Sequence, residues 1–144
     1  MTVAAILKHK GTEVISVAPD VTVAELTRML SARRIGALPV LDGSGQLLGI
    51  ISERDVVHAL AVHGAHTLEL TAAKLMTPTP RTVVRRTTVA EAMSIMTEGR
   101  FRHLPVMEDG MLIGMVSIGD VVKARIMQQE NEVDSLKAYV SSAA

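Results

Sequence analysis

No cysteine occurs in this chain of 144 residues, which excludes a disulfide framework and any thiolate metal site and allows a cytoplasmic home. Aromatic residues are nearly missing too. Phe101 and Tyr139 are the only two, so the interior must be filled by Val, Leu, Ile, Ala and nine Met, with Met as an adaptable filler. Net charge is also absent, fifteen Lys and Arg balancing fifteen Asp and Glu. A nucleic-acid binder needs a basic footprint to neutralise phosphate, so this balance argues against that class. No apolar run approaches the ~18 residues of a membrane span, and the first residues lack a signal-peptide pattern. The expectation is a cytoplasmic protein forming one compact domain with ample core material, 48% of its residues being hydrophobic.

What the chain has is repetition. Arg34-Ile-Gly-Ala-Leu-Pro-Val returns as Arg100-Phe-Arg-His-Leu-Pro-Val, and Leu47-Leu-Gly-Ile-Ile-Ser-Glu-Arg-Asp-Val-Val returns from Leu112. Thr22-Val-Ala-Glu recurs letter for letter from Thr88. Across these blocks 14 of 22 aligned positions are identical, at an offset of 66 residues before the hairpin loop and 65 after it. Such a period is too long for a solenoid, whose repeats run about 20–50 residues. It is a small unit used twice. Each copy is near the size at which a core is marginal, so the two are expected to share one core about a pseudo-twofold axis. A cleft between halves is a usual place for a ligand.

The periodicity of each copy predicts strand, helix, strand, strand, helix. Val3, Ile6 and Leu7 mark a short leading helix ended by Lys8-His9-Lys10-Gly11. Those cations either complement the helix C-terminus or, at Lys10, contact a phosphate. Val14–Val17 is a short strand. A helix capped by Asp20 or Thr22 then buries Val23, Leu26 and Leu30, with Arg33 and Arg34 at its negative end. Strands at 38–41 and 47–51 flank the loop Asp42-Gly43-Ser44-Gly45. A helix from Asp55 carries Val56, Val57, Ala59 and Leu60. In the connection, His58, His63 and His66 do not share a helix face, which argues against a metal site. A turn of helix at 72–76 follows, and Pro78 and Pro80 hold the next lead-in extended.

The second copy repeats the order, with a strand at 82–84 and Val89, Ala92, Met93 and Met96 facing in. Its last helix starts near Ser117 and places Val122, Ile126, Val133, Leu136 and Val140 at heptad-like steps. That seam packs on the body or on a second chain. The division read from the sequence is residues 1–70, residues 71–127 and a helical tail at 128–144.

Chemistry concentrates where a strand becomes a helix. Ser52-Glu-Arg-Asp55 and Ser117-Ile-Gly-Asp120 are capping boxes by pattern. The same geometry puts amide donors and a dipole end at a cleft edge, which suits a phosphate, and such an Asp can accept from both hydroxyls of a ribose. Two copies in identical context favour a ligand. No nucleophile elbow, Walker loop, Gly-x-Gly-x-x-Gly or His-Glu-x-x-His is present, so catalysis is not expected.

The pattern Arg-x-x-x-Leu-Pro-Val, a Gly-containing hairpin, Gly-h-h-Ser-x-x-Asp (h, hydrophobic) and a Val-Val helix resembles the CBS motif, and two tandem copies resemble a Bateman module. The resemblance covers nearly the whole chain. It implies an α+β fold, a homodimer, and two clefts for an adenosyl ligand such as AMP, ADP, ATP, S-adenosylmethionine or NAD. It further implies a regulatory role exerted on a separate protein partner. Carried over by position, a first site takes Ser52, Asp55, Pro80, Arg81, Thr82, Arg102 and His103, the last two on phosphate. A second takes Val14, Ile15, Gly36, Ala37, Ser117 and Asp120, and its Gly36 and Ala37 offer no side-chain grip. Arg85-Arg86 stands where the family often has Pro-Asp. The competing readings are a nucleotide- or NAD-converting enzyme and a nucleic-acid binder using Arg81, Arg85, Arg86, Arg100 and Arg102.

Overall fold

In the computed structural model, which describes residues 1–143, each repeat is an antiparallel hairpin backed by helices. Along the chain run α1 (Val3–Lys10), α2 (Val23–Arg33), β1 (Ala37–Leu41), β2 (Leu47–Ser52) and α3 (Glu53–His63). A 3-10 turn at Gly64–Glu69 leads to α4 (Ala72–Leu75) and β3 (Thr77–Pro78). The second copy is α5 (Val89–Gly99), β4 (His103–Glu108), β5 (Met111–Ser117) and α6 (Ile118–Ala143).

The duplicated letters produce duplicated local geometry. Thr22 and Thr88 each accept from the amide three residues on, at 3.3 and 3.0 Å, satisfying a donor that the first helical turn leaves unpaired. Both helices then end on an arginine in the left-handed conformation, Arg34 at φ 53° and Arg100 at φ 56°. A side chain there costs about 1–2 kcal/mol, yet both copies keep it. β1 pairs with β2 and β4 with β5, and the register breaks at the equivalent step, Val40/Leu41 and Val106/Met107.

The expected strands at 14–17 and 82–84 shrink to single parallel bridges, Val17 with Val40 and Val83 with Val106. Proline explains this. Val17 donates to the Pro39 carbonyl and accepts from Leu41, and the next rung toward the N-terminus would need an N–H on Pro39, which has none. Pro105 stops the second copy in the same way, with Val83 donating to its carbonyl.

Buried side chains form two clusters rather than the single core expected. The first joins Val23, Leu26 and Leu30 of α2 to Leu38, Val40, Ile51 and Val56, and takes Ala72 from α4. The second joins Val89, Ala92 and Met96 of α5 to Leu104, Val106, Val116 and Val121, and takes Val3, Ile6 and Leu7 from α1. The leading helix thus completes the second repeat, and the connecting helix completes the first. Each small core gains its missing wall from outside its own copy, which offsets the marginal size of the unit. The amides of Val3 and Ala4 anchor α1 on the carbonyls of Thr87 and Arg85. The division of the chain at residue 70 is therefore crossed in space.

Two helices bury a narrower stripe than their sequences suggest. On α3, Val56 and Ala59 face in, whereas Val57 is 65% exposed and Leu60 is exposed as well. On α6, Val121 and Ala124 pack inward, and the seam Val122, Ile126, Val133, Leu136 and Val140 lies outside, 43% to 63% exposed. No described helix is long and apolar enough to cross a membrane.

Candidate functional site

Ser52 and Asp55 form the reciprocal cap that the pattern implies. The Asp55 carboxylate accepts the Ser52 amide at 2.8 Å and the Ser52 hydroxyl at 3.1 Å, and the Asp55 amide donates to the same hydroxyl oxygen at 3.4 Å. Asp120 accepts the Ser117 amide at 2.8 Å and donates its own amide to Ser117 Oγ at 3.1 Å. Capping and ligand binding are compatible here. All these bonds to carboxylate use Oδ2, and Oδ1 of each Asp has no protein partner among the described residues.

Each capped turn opens onto a cleft completed by the other repeat. The first cleft, about 260 Å3, is lined by Ser52, Glu53, Arg54 and Asp55 on one side and by the segment from Arg100 to His103 on the other. Thr77, Thr79, Pro80 and Arg81 form its floor. Six of the seven residues predicted for this site are brought together, and Thr82 lies outside the lining. Arg100 was missed. Its left-handed conformation turns the chain into the cleft, and the repeat of Arg34 at Arg100 was the clue. Thr79 also holds a positive φ, 45°, an uncommon state for a β-branched residue, and strain of this kind gathers at ligand sites.

The second cleft, about 420 Å3, takes Ser117 and Met115 from the second repeat and Arg34, Gly36 and Ala37 from the first. Val14 and Ile15 lie along it, as the sequence predicts. It is not without a grip. Arg34 lines it in the manner of Arg100, and Lys10 enters from the end of α1. Lys10 Nζ donates to Asp120 Oδ2 at 2.7 Å and to the Met115 carbonyl at 2.9 Å. Of the six residues predicted for this site, Asp120 alone lies outside the lining, where it is bonded to Lys10.

The difference between the clefts begins in α1 and α4, which dock at equivalent places. A methyl on Gly114 would meet Leu7 Cδ2 at 2.7 Å, and one on Gly49 would meet Met76 Sδ at 2.7 Å. Glycine is needed at both for this close approach. Past that point α1 continues to Lys10, whereas α4 stops and β3 hydrogen-bonds along β2. One cleft receives an ammonium, the other a strand carrying Thr77 and Thr79.

His103 lines both clefts. Partial burial pushes its imidazole pKa down, and the nearby Lys10 adds to this, along with Arg102. The carboxylates of Glu53 and Asp120 act the other way and do not prevail. Desolvation disfavours the cation. For Asp120, partial burial pushes the carboxyl up, but Lys10 and the Ser117 cap outweigh it and hold it below the usual value.

Of the remaining arginines, Arg81 and Arg102 face the first cleft and Arg85 pairs with Glu108 at 3.2 Å. Of the histidines in the connection, His66 lies 3.0 Å from Glu69.

The family model described as CBS domain matches residues 5–62 and 72–127. The mitochondrial CBS domain-containing protein CBSX3 of Arabidopsis thaliana is 35% identical over 147 residues, covering 96% of this chain and 71% of its own length. Of the CBS domain-containing protein CBSCBSPB5 from the same plant, 32% identical over 128 residues, the alignment covers 89% of this chain but only 23% of that protein. The crystal structure of ATU1752 from Agrobacterium tumefaciens, a CBS-domain containing protein, has 46% identity and a TM-score of 0.84 over 86% of this chain and 92% of its own. CBSX2, solved in complex with AMP, has 31% identity and a TM-score of 0.68 over 81% and 90%. The CBS domain pair of MJ0100, solved with 5'-methylthioadenosine and S-adenosylmethionine, has 25% identity and a TM-score of 0.77 over 86% and 98%.

Proposed function

This chain belongs to the CBS-domain family, and from that premise we propose that it is a regulatory module that binds adenine nucleotides in two clefts and signals to a separate protein. The observation that carries the reading is the pair of capped carboxylates: Asp55 lines the first cleft with Arg81, Arg100 and Arg102 of the opposite repeat, and Asp120 is bonded to Lys10, which lines the second. A ribose diol has two donors for such a carboxylate. Arginine and lysine nearby suit a phosphate, with charged contacts about twice as strong as neutral ones. The complexes of CBSX2 with AMP and of the MJ0100 pair with S-adenosylmethionine support an adenosyl ligand.

In the first site Ser52 and Asp55 hold the sugar, Pro80 and Arg81 border the base, and Arg102 and His103 take the phosphate. In the second, Asp120 and Ser117 take the sugar and Val14 and Ile15 flank the base, with Gly36 and Ala37 leaving room. The first site favours AMP, ADP or ATP, and the second, being wider, admits a dinucleotide such as NAD. Because each cleft spans both repeats, a bound ligand stabilises one arrangement of the halves in proportion to its differential affinity. The sequence units 1–70 and 71–127 act as the two motifs, and 128–144 as an appended helix in a homodimer.

The test is calorimetric titration of AMP, ADP, ATP, NAD and S-adenosylmethionine into wild type, Asp55→Ala and Asp120→Ala. Each variant is expected to lose one binding event, about 2–4 kcal/mol of affinity at that cleft. Full stoichiometry and affinity in both variants would reduce the carboxylates to caps. Mass spectrometry of the nucleotide after incubation separates binding from conversion, and intact ligand supports the regulatory reading over an enzyme.

A further inference from the structure

The two clefts have the same capped carboxylate, but only one of the carboxylates already holds a cation. Among the described residues Asp55 accepts from Ser52 alone, whereas Asp120 also carries the Lys10 ammonium at 2.7 Å. Lys10 is fixed from three directions. Its Nζ has a second acceptor in Met115, its helix is anchored by Val3, Ile6 and Leu7 in the second core, and Gly11 ends that helix at φ 93°. The ammonium therefore holds Oδ2 of Asp120, one of the two oxygens that a sugar diol would engage, and leaves Oδ1 open.

We propose that Lys10 is the specificity-determining residue of the second cleft, an internal occupant of the sugar subsite that yields to ligands bearing an anionic group. The argument rests on the reading that Asp120 takes a sugar diol. A neutral nucleoside whose diol takes both oxygens of Asp120 must break or share the ion pair on Oδ2, and it returns nothing to the displaced ammonium. A phosphorylated nucleoside supplies a new anion within the same cleft, where Arg34 already stands, so the cation changes partner without losing one. The competition works through charge. Lys10 is 40% and Asp120 24% exposed in the pair, so added salt screens it while leaving a neutral ligand's own contacts nearly untouched. Neutral nucleosides should therefore bind more tightly at high salt, opposite to phosphorylated ones. The first cleft lacks this occupant because α4 ends before the equivalent turn.

The experiment uses the full chain carrying Asp55→Ala, which leaves the second cleft, and titrates adenosine and AMP at low and high salt. With Lys10 present, adenosine affinity is expected to rise with salt and AMP affinity to fall. Adding Lys10→Met should raise adenosine affinity about tenfold, remove its salt dependence, and lower AMP affinity about tenfold, the scale of one charge-assisted hydrogen bond in a partly solvated place. The inference is overturned if Lys10→Met leaves the adenosine-to-AMP ratio unchanged, or if adenosine affinity is insensitive to salt with Lys10 in place. The salt response needs no Lys10 variant, so it stands even where that substitution impairs folding. Failure of the underlying reading looks different: AMP binding to the Asp55→Ala protein would then be unaffected by adding Asp120→Ala.

Discussion

The His103 imidazole of the second repeat lies against the backbone of Gly36 in the first, so close that a methyl at Gly36 would stand 3.1 Å from Cε1 and 3.2 Å from Nε2. Both residues line both clefts. The wall between the two sites is thus one glycine and one histidine thick. A ligand that moves the ring in one cleft changes the shape of the other.

Gly36→Ala is the direct test of that shared wall. Gly36 donates no special conformation and its carbonyl keeps accepting the Glu53 amide, so the added methyl acts on the ring, which must retreat by a few tenths of an ångström. The expected stability loss is small, under about 1.5 kcal/mol in urea unfolding. Ligand affinity should change at both clefts. A change confined to one cleft would show that His103 is a wall of that cleft alone.

His103 also sets a pH dependence. The groups facing it are Lys10 of α1, Glu53 of α3, Asp120 of α6 and its neighbour Arg102, and with burial their sum holds its pKa below the ordinary 6.5. The unfolded chain therefore binds more protons than the folded one between the folded value and 6.5. The contribution to stability is complete above 6.5 and is lost as pH falls through the folded value. Asp120, held below 3.8, adds a second loss at lower pH with the same sign. Thermal unfolding of wild type and His103→Gln between pH 5 and 8 reads the first effect, and the variant should show a flatter profile below 6.5. An anion bound beside His103 draws a proton onto it, so phosphate-ligand affinity should gain on acidification below neutrality, relative to His103→Gln.

Most of the architecture was legible because it was written twice. Thr22 and Thr88, Ser52 and Ser117, and the two Leu-Pro-Val strands mark the same caps and hairpins in both copies, and the helical stripe Val23, Leu26, Leu30 is buried as its period requires. The clefts were legible for the same reason, since aligned positions imply a symmetric pair of sites. What escaped was the asymmetric part. Lys10 and Asp120 are separated by most of the chain, and no local spacing links them. The strands at 14–17 and 82–84 were overread because the missing rung belongs to a proline on the partner strand. Val57 and Leu60 were overread because a helical stripe fixes a face but not its width.

Gly49 and Gly114 occupy equivalent positions yet should respond differently to alanine. At Gly114 the nearest atom to the new methyl is the end of the Leu7 side chain, 2.7 Å away, which can change rotamer. At Gly49 the methyl meets Met76 Sδ and also the Thr77 carbonyl oxygen, each at 2.7 Å. That carbonyl belongs to backbone already paired with β2, and it cannot swing aside. Gly49→Ala is expected to cost about 1–3 kcal/mol and to disturb the floor of the first cleft, with Gly114→Ala costing less. Chemical unfolding of both variants decides it. Equal costs would mean β3 is too weakly held to resist.

The last turns of α6 carry exposed apolar side chains. From Glu130 to Ser142 the helix is exposed on every side, and Val133, Leu136, Tyr139 and Val140 are 50% to 70% exposed. The body does not use this seam, since α6 turns Val121 and Ala124 toward the second core. Val133, Leu136 and Val140 are spaced three and four residues apart, the spacing that brings side chains to one face and lets two helices interlock. About two turns of such a seam are too short to hold two chains by themselves, so pairing would also need the outward residues Ile118, Val122 and Ile126 and, on α3, Leu60 and the Val122 counterpart Val57. A homodimer is therefore the expected state of the full chain. Stopping the chain after Ile126 should weaken the dimer without abolishing it, and the dissociation constant should rise by about one to two orders of magnitude, roughly the burial of one apolar side chain in the whole interface. Sedimentation equilibrium of both proteins across a hundredfold range of concentration gives the two constants. A monomeric full chain rejects the assembly, and an unchanged constant after truncation assigns it to the α3 and α6 faces of the body alone.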